Sequence, residues 1–248
     1  MAPNARSARF QVNRRVWLAA AVACLVLLPL CETSADEAAF ERARLQMVER
    51  QLKGRDITDA AVLRAMARVP RHRFVSLALA SQAYTDRALP IEEGQTISQP
   101  YIVALMTQLL ELAGSEKVLE VGTGSGYQAA VLAELGVQVY TIEILPGLAS
   151  RAAEQLKALG YTRIAVRAGD GYQGWPEAAP FDAIAVTAGA THIPEPLVAQ
   201  LAEGGRLVIP VGAMSGTQEL ILGRKTAGRL VTRVVIPVRF VPLVEPRR

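Results

Sequence analysis

The stretch Lys117-Val-Leu-Glu-Val-Gly-Thr-Gly-Ser-Gly-Tyr127 constrains the fold more than any other part of the chain. A short apolar strand, Val118 to Val121, runs into glycines at alternate positions, Gly122, Gly124 and Gly126. A helical pattern follows, with Ala129, Ala130, Val131, Leu132 and Leu135 apolar. Glycines fit there because the chain must turn sharply out of a sheet while its backbone closely approaches a ligand. The new helix then points unpaired N–H groups at whatever sits above the turn. A small-molecule cofactor is the expected occupant.

The dinucleotide fingerprint is G-x-G-x-x-G, with an acidic residue about 20 positions on to accept from a ribose. Here the spacing is G-x-G-x-G, and the acid is Glu143, after the strand Val137-Gln-Val-Tyr-Thr-Ile142. The acid suits a ribose diol and opposes a ribose phosphate. A glycine-rich turn without a ligand is the plainer alternative; strand, glycines, helix, strand and acid in that order argue against it.

From Lys117 onward strands and helices alternate. Strands are predicted at 117–121, 137–143, 163–168, 182–187 and 205–210, and helices at 126–135, 146–158 and 195–202. Glu219–Gly223 and Leu230–Val241 read as an antiparallel pair joined by Arg224–Arg229. The expected fold is α/β, a doubly wound, mostly parallel seven-stranded sheet of Rossmann-like type. Ahead of it, Glu37–Lys53 reads as an amphipathic helix stopped by Gly54. Thr58 is the expected cap of a second helix ending at Pro70, and Arg71 to Ala80 a third. Tyr84–Ile91 reads as irregular, and Pro100 opens the helix Tyr101–Leu112. Residues 36–248 form one expected domain: a helical part with the active-site loop (36–115), a cofactor-binding core (116–212) and a C-terminal hairpin (213–248).

Residues 1–35 differ from the rest. Arg6, Arg9, Arg14 and Arg15 precede an uncharged 15-residue run from Val16 to Leu30, and Thr33 and Ala35 stand at −3 and −1 of a cut before Asp36. That is the order of a secretory signal, and the run falls short of the roughly 20 residues that span a bilayer. Asn13-Arg14-Arg15-Val16-Trp17-Leu18 loosely resembles a twin-arginine signal. Cys31 offers a lipid-attachment reading, weakened by the bulk of Leu30. The alternative is a misplaced start, with Met47 as the initiator. Without this segment, 23 basic residues face 22 acidic ones, a charge of +1, so nucleic-acid binding loses its electrostatic basis. Cys24 and Cys31, the only cysteines, both lie in the segment. The remainder has no disulfide, no thiol nucleophile and, with only His72 and His192, no expected metal site.

Ligands of a doubly wound sheet sit above the carboxyl ends of its strands. Four loops converge there: 122–126, the strand end at Glu143, Gly169-Asp-Gly171, and Thr187-Ala-Gly-Ala190. Asp170 reads equally as an acceptor for an adenine amine or as a turn residue. Thr96 and Ser98 either cap the helix after them or, with backbone N–H groups, face an anion at its N-terminus. Neither histidine has the Ser or Asp neighbours of a triad.

Gly94-Gln-Thr-Ile-Ser-Gln-Pro-Tyr101, then Val118–Tyr127, Gly169-Asp-Gly171, Phe181-Asp-Ala-Ile184 and Val238-Arg-Phe-Val-Pro-Leu243 resemble protein-L-isoaspartate O-methyltransferases. Order and spacing match from about Met47 to Val244. The glycine motif is shared by many methyltransferases; Thr-Ile-Ser-Gln-Pro and the closing Val-Pro-Leu are far more specific. The resemblance implies S-adenosyl-L-methionine as cofactor and the α-carboxyl of isoaspartyl residues in damaged proteins as acceptor. It implies that Gly122, Thr123, Gly124 and Gly126 cradle the methionine part, that Glu143 holds the ribose, and that Asp170 with Gly171 borders the adenine. Ser98 matches the active-site serine, Thr96 and Ile97 line its pocket, and Val241 to Leu243 flank the peptide substrate. Gly189-Ala-Thr-His192 departs from the Ala-Pro-Pro and polar residue that relatives often carry.

Isoaspartyl proteins are the implied partners of a monomer that takes no nucleic acid or metal. The other readings are a methyltransferase for another carboxylate, a non-catalytic cofactor-binding relative, and, last, a nicotinamide oxidoreductase. The resemblance and the cofactor supply place the protein in the cytoplasm, whereas residues 1–35 point to the periplasm or to membrane attachment.

Overall fold

The structure, a computed structural model, describes residues 36–244. The export, lipid-attachment and start-site expectations on 1–35 lie outside the described residues. Met1–Glu41 and Arg42–Arg248 form two units. Residues 36–41 of the first are helical; the rest of the architecture belongs to the second.

A helical stretch passes into a π-helical turn, Val48–Lys53, which ends at Gly54 as expected. The helix Ala60–Arg68 is capped one residue later than expected. Asp59 Oδ1 accepts from the N–H groups of Ala61 (2.7 Å) and Val62 (3.2 Å), while the Thr58 N–H donates to Gln108 Oε1 at 2.7 Å. The single helix expected over 71–80 is two 3₁₀ turns, Arg71–Phe74 and Leu77–Gln82, separated by extended residues Val75 and Ser76. Of Tyr84–Ile91, read as irregular, residues 84–88 form no helix or strand, while β1 (Leu89–Pro90) pairs antiparallel with β2 (Thr96–Ile97) in a small hairpin. The helix Pro100–Leu109 follows at once, with Pro100 in its first turn.

Seven strands make the main sheet: β3 (Lys117–Val121), β4 (Gln138–Glu143), β5 (Ile164–Ala168), β6 (Phe181–Val186), β7 (Leu201–Gly212), β8 (Gln218–Thr226) and β9 (Arg229–Val238). Their order is β5-β4-β3-β6-β7-β8-β9. Pairings from β5 to β7 are parallel, and β7–β8 and β8–β9 are antiparallel. The mostly parallel, doubly wound fold is therefore as expected. The helices at 126–135, 146–158 and 195–202 appear as Tyr127–Glu134, Pro146–Ala158 and Glu195–Gln200.

Val118, Leu119, Glu120 and Val121 are buried in succession on β3, as are Ala183 to Val186 on β6. Side chains alternate between the faces of a strand, so the sheet is covered on both sides, as parallel strands require. The chain winds outward from β3 through β4 to β5, then returns to start β6 on the other side of β3. That reversal leaves a crevice above β3 and β6, where α/β sheets bind ligands.

Candidate active site

The glycine turn leaves β3 with left-handed backbone at Gly122 (φ 103), Gly124 (φ 53) and Gly126 (φ 88). Gly122 is the tightest position, because a methyl group there would stand 2.6 Å from Thr187 Oγ1. That hydroxyl donates to the carbonyl of Gly122 at 2.7 Å and fastens the turn to the end of β6. Glu143, at the end of β4, accepts from the Gly124 N–H at 2.9 Å and from the Leu145 N–H at 3.1 Å. Its carboxylate thus ties the first two strand ends together.

Three cavities border the segment Thr96–Ser98, beside the glycine turn. An inner cavity of about 210 Å³ is lined by Gly122, Gly124, Glu143 and Gly171 on one side and by Val241, Pro242 and Leu243 on the other, under a roof from Gly94 to Thr96. An outer cavity of about 430 Å³ is lined by Thr96, Ser98, Gln99, Thr217 and the run Pro237–Phe240. A narrow one of about 30 Å³ runs along the turn between Thr96–Ser98, Glu120, Thr123 and Gln128. Thr96 lines all three. The β1–β2 hairpin carries it there, and the Ile91 N–H donates to the Gln95 carbonyl at 2.9 Å to close the roof. An ion pair between Glu93 and Arg151 fastens this roof to the helix Pro146–Ala158.

The structure gathers the expected site residues with differences of detail. Ser98 is half-buried between the outer and narrow cavities. Ile97 is buried and lines the narrow cavity alone. The helix after them starts from Gln99 without a side-chain cap, so the capping account of Thr96 and Ser98 has no bond to carry it. Thr123 turns into the sheet, its hydroxyl 2.7 Å from that of Thr141. Gly126 lines none of the three cavities and packs on Leu156 instead. Asp170 Oδ1 accepts from the Tyr172 N–H at 2.9 Å, the turn role; its neighbour Gly171 lines the inner cavity. Val241 and Leu243, expected beside the substrate, wall the inner cavity; the outer one is walled by Pro237 to Phe240. His192 meets Thr191 Oγ1 at 3.0 Å and lies outside all three cavities.

Sequence reasoning missed Glu120. It is completely buried; Oε2 accepts from Thr141 Oγ1 at 2.6 Å and Oε1 has no partner. Burial raises its pKa to about 8, the Thr141 hydrogen bond opposes that rise, and the Glu143 charge adds to it. Thr141 Oγ1 lies within hydrogen-bond distance of both Glu120 and Thr123, so a relay of three side chains underlies the turn. Gln128, also missed, keeps Oε1 unpaired in the same narrow cavity. The available signal was a charged residue inside an otherwise apolar strand. Arg71 was missed as well: it is fully buried, and desolvation lowers its pKa to about 10. Its Nε donates to the Ala83 carbonyl at 2.7 Å, and its guanidinium lies 5.0 Å from the ring centroid of Tyr127, the first residue after the turn.

Comparison with known proteins agrees with this arrangement. The family model for protein-L-isoaspartate(D-aspartate) O-methyltransferase matches residues 42–248. A protein-L-isoaspartate O-methyltransferase of Opitutus terrae is 56% identical over 232 residues, 92% of this chain and 99% of that one. A solved protein-L-isoaspartate O-methyltransferase superposes with a TM-score of 0.74 at 32% identity, covering 80% of this chain and 65% of that one. A structure from Plasmodium falciparum assigned to the same enzyme, in complex with S-adenosyl-L-homocysteine, gives 0.70 at 30% identity over 81% of this chain and 98% of that one. The chain therefore belongs to the protein-L-isoaspartate(D-aspartate) O-methyltransferase family, enzymes that methylate isoaspartyl residues of proteins.

Proposed function

We propose that the chain transfers the methyl group of S-adenosyl-L-methionine to the α-carboxylate of L-isoaspartyl residues in damaged proteins and peptides, at the segment Thr96–Ser98. The observation that carries this reading is the position of that segment: Thr96 borders the inner, narrow and outer cavities, and Ser98 the narrow and outer ones. The inner cavity takes the cofactor. Glu143 and the glycine turn offer acceptors and backbone N–H groups to a ribose and an amino-acid moiety. The unpaired oxygens of Glu120 and Gln128 fit an ammonium group, whose donors would satisfy both. Gly171 borders the adenine side, and Asp170 holds the turn that presents it.

When bound, S-adenosyl-L-methionine supplies a methyl group on a positively charged sulfur. The acceptor carboxylate has an ordinary pKa near 3.9 and is ionised at neutral pH, so the chain needs no general base. The Ser98 hydroxyl orients the acceptor; it forms no covalent intermediate. Positive and negative charge cancel during transfer, so a site that excludes water favours the reaction. Val121, Ile142, Ala188, Val241, Pro242 and Leu243 give the inner cavity such apolar walls. Holding donor and acceptor in line supplies the rest.

Among the described residues no helix is long and apolar enough to cross a membrane, and no side-chain cluster could hold a metal ion. The enzyme acts as a monomer on isoaspartyl proteins, in the cytoplasm where its cofactor is made; a natural N-terminus at Asp36 would replace that location with an exported one. The activity is tested by incubating the full-length chain with labelled cofactor and a matched pair of peptides. Label enters the isoaspartyl peptide as an ester and not the aspartyl control. No label in either, or equal label in both, refutes the assignment.

A further inference from the structure

One buried side chain outside the expected site residues controls where its C-terminal wall stands. Gln218 opens β8 and is 1% exposed. It pairs with Gly212 of β7 on one side and with Val238 of β9 on the other. Val238 is the last residue of β9. Beyond it the chain leaves β8 and crosses to the loop after β6, where the Gly189 N–H donates to the Val241 carbonyl at 2.8 Å and the Leu243 N–H donates to the Gly189 carbonyl at 2.7 Å. Between these two anchorages the Phe240 N–H has no strand partner. Gln218 supplies one: its Oε1 accepts from Phe240 at 2.9 Å, while its Nε2 donates to the Ala213 carbonyl at 3.1 Å.

The same amide packs under Gly189. A methyl group there would stand 3.0 Å from Gln218 Nε2 and 3.1 Å from its Cδ. A larger residue would push on the amide that holds Phe240 and shift the backbone that holds Val241 and Leu243. Gln218 and Gly189 thus hold the strap 239–243, to which the Tyr172 hydroxyl also donates, at the Leu243 carbonyl (3.3 Å). Arg239 and Phe240 of that strap wall the outer cavity, and Val241 to Leu243 wall the inner one.

We infer that Gln218 is a positioning residue for methyl transfer: through the Phe240 N–H, and with Gly189 packed on its amide, it holds the strap shared by the two cavities and so sets how the acceptor meets the methyl donor. This rests on the assignment of the inner cavity to cofactor and the outer one to the peptide. A misplacement of about 1 Å at a reacting pair costs up to roughly a hundredfold in rate. The cofactor's own holders, the glycine turn and Glu143, make no hydrogen bond to Gln218.

The test compares full-length wild type with Gln218→Leu, Gln218→Glu and Gly189→Ala. Gln218→Leu removes the acceptor at similar size, and kcat/KM for an isoaspartyl peptide falls on the order of tenfold to a hundredfold, with part of the loss in kcat. The dissociation constant of S-adenosyl-L-homocysteine changes far less. Gln218→Glu keeps the acceptor and, while protonated, the donor; it recovers activity at low pH and loses it as the acid ionises and its second oxygen is repelled by the Ala213 carbonyl. Gly189→Ala lowers kcat/KM in the same direction, which keeps the test open if the leucine variant does not fold. Hydrogen exchange provides a readout that needs no turnover: in Gln218→Leu, protection falls at both Phe240 and Leu243. A folded Gln218→Leu with unchanged kcat/KM, or with protection lost at Phe240 alone, overturns the inference. Wild type that methylates no isoaspartyl peptide overturns the proposed function instead, and exchange at Leu243 still decides the role of Gln218.

Discussion

At Glu120 a carboxyl group lies fully buried in the middle of a parallel sheet, with one oxygen paired and the other not. Its pKa rises from 4.5 to about 8 on folding, so the folded protein holds this proton more tightly than the unfolded chain. The stability this contributes is complete below about pH 4.5 and is lost as pH rises toward 8. Glu120→Gln removes the titration. Urea midpoints measured at pH 5 and pH 8 fall further for wild type than for the variant; an equal fall in both means that Glu120 stays ionised in the fold. Gly122 makes a second prediction at this scale. With φ at 103 and Thr187 Oγ1 2.6 Å from any added methyl, Gly122→Ala costs about 1–3 kcal/mol of stability and weakens S-adenosyl-L-homocysteine binding, read by thermal melting and by calorimetric titration. Gly122 and Glu143 were legible in the sequence because their demands are local: a turn and a strand end at fixed spacing. Glu120 was not. The acid stands out in an apolar strand, but its burial depends on helices far away in the chain that cover both faces of the sheet.

Elements with a strong local signal appeared where the sequence put them. β3 and the helix Pro146–Ala158 match their predicted bounds, since β3 opens on a lysine and runs into Gly122, and the helix opens on Pro146 and gives way to Gly160. Elements fixed by long-range pairing did not. β7 starts at Leu201 and not 205, because it pairs with β6 across a bulge between Phe181 and Ala183. The β1–β2 hairpin has strands of two residues, too short for any alternation to show. The misplaced cap is instructive: Thr58 and Asp59 are both good caps, and Gln108, remote in sequence, accepts from the N–H groups of both and fixes how the chain enters the helix, where Asp59 is the residue that caps. Asp59→Ala therefore destabilises the protein by about 1 kcal/mol in chemical denaturation. Thr58→Ala leaves stability within about 0.5 kcal/mol of wild type, as a surface change away from such features does.

Across the whole molecule the order of the strands places the chemistry. The reversal at β3 opens the crevice, and the chain closes it twice: from the N-terminal side with the hairpin that carries Thr96–Ser98, and from the C-terminal side with the strap 239–243. The parallel core was readable from alternation alone. The meeting of those two closures was not, because residues 96 and 241 join only through folds of the intervening sheet. Val241 and Leu243, expected beside the peptide, stand against the inner cavity, which Thr96 borders as well. The proposed function divides the work: the glycine turn and Glu143 would hold the cofactor, and Ser98 would aim the acceptor. Ser98→Ala tests that division most directly, by measuring kcat/KM for an isoaspartyl peptide and the dissociation constant of S-adenosyl-L-homocysteine on the same preparation. The account predicts a fall in kcat/KM of about tenfold or more, the scale for loss of one orienting hydrogen bond to a charged group, with cofactor affinity within about twofold of wild type. A parallel loss of both, or no change in transfer, would contradict it.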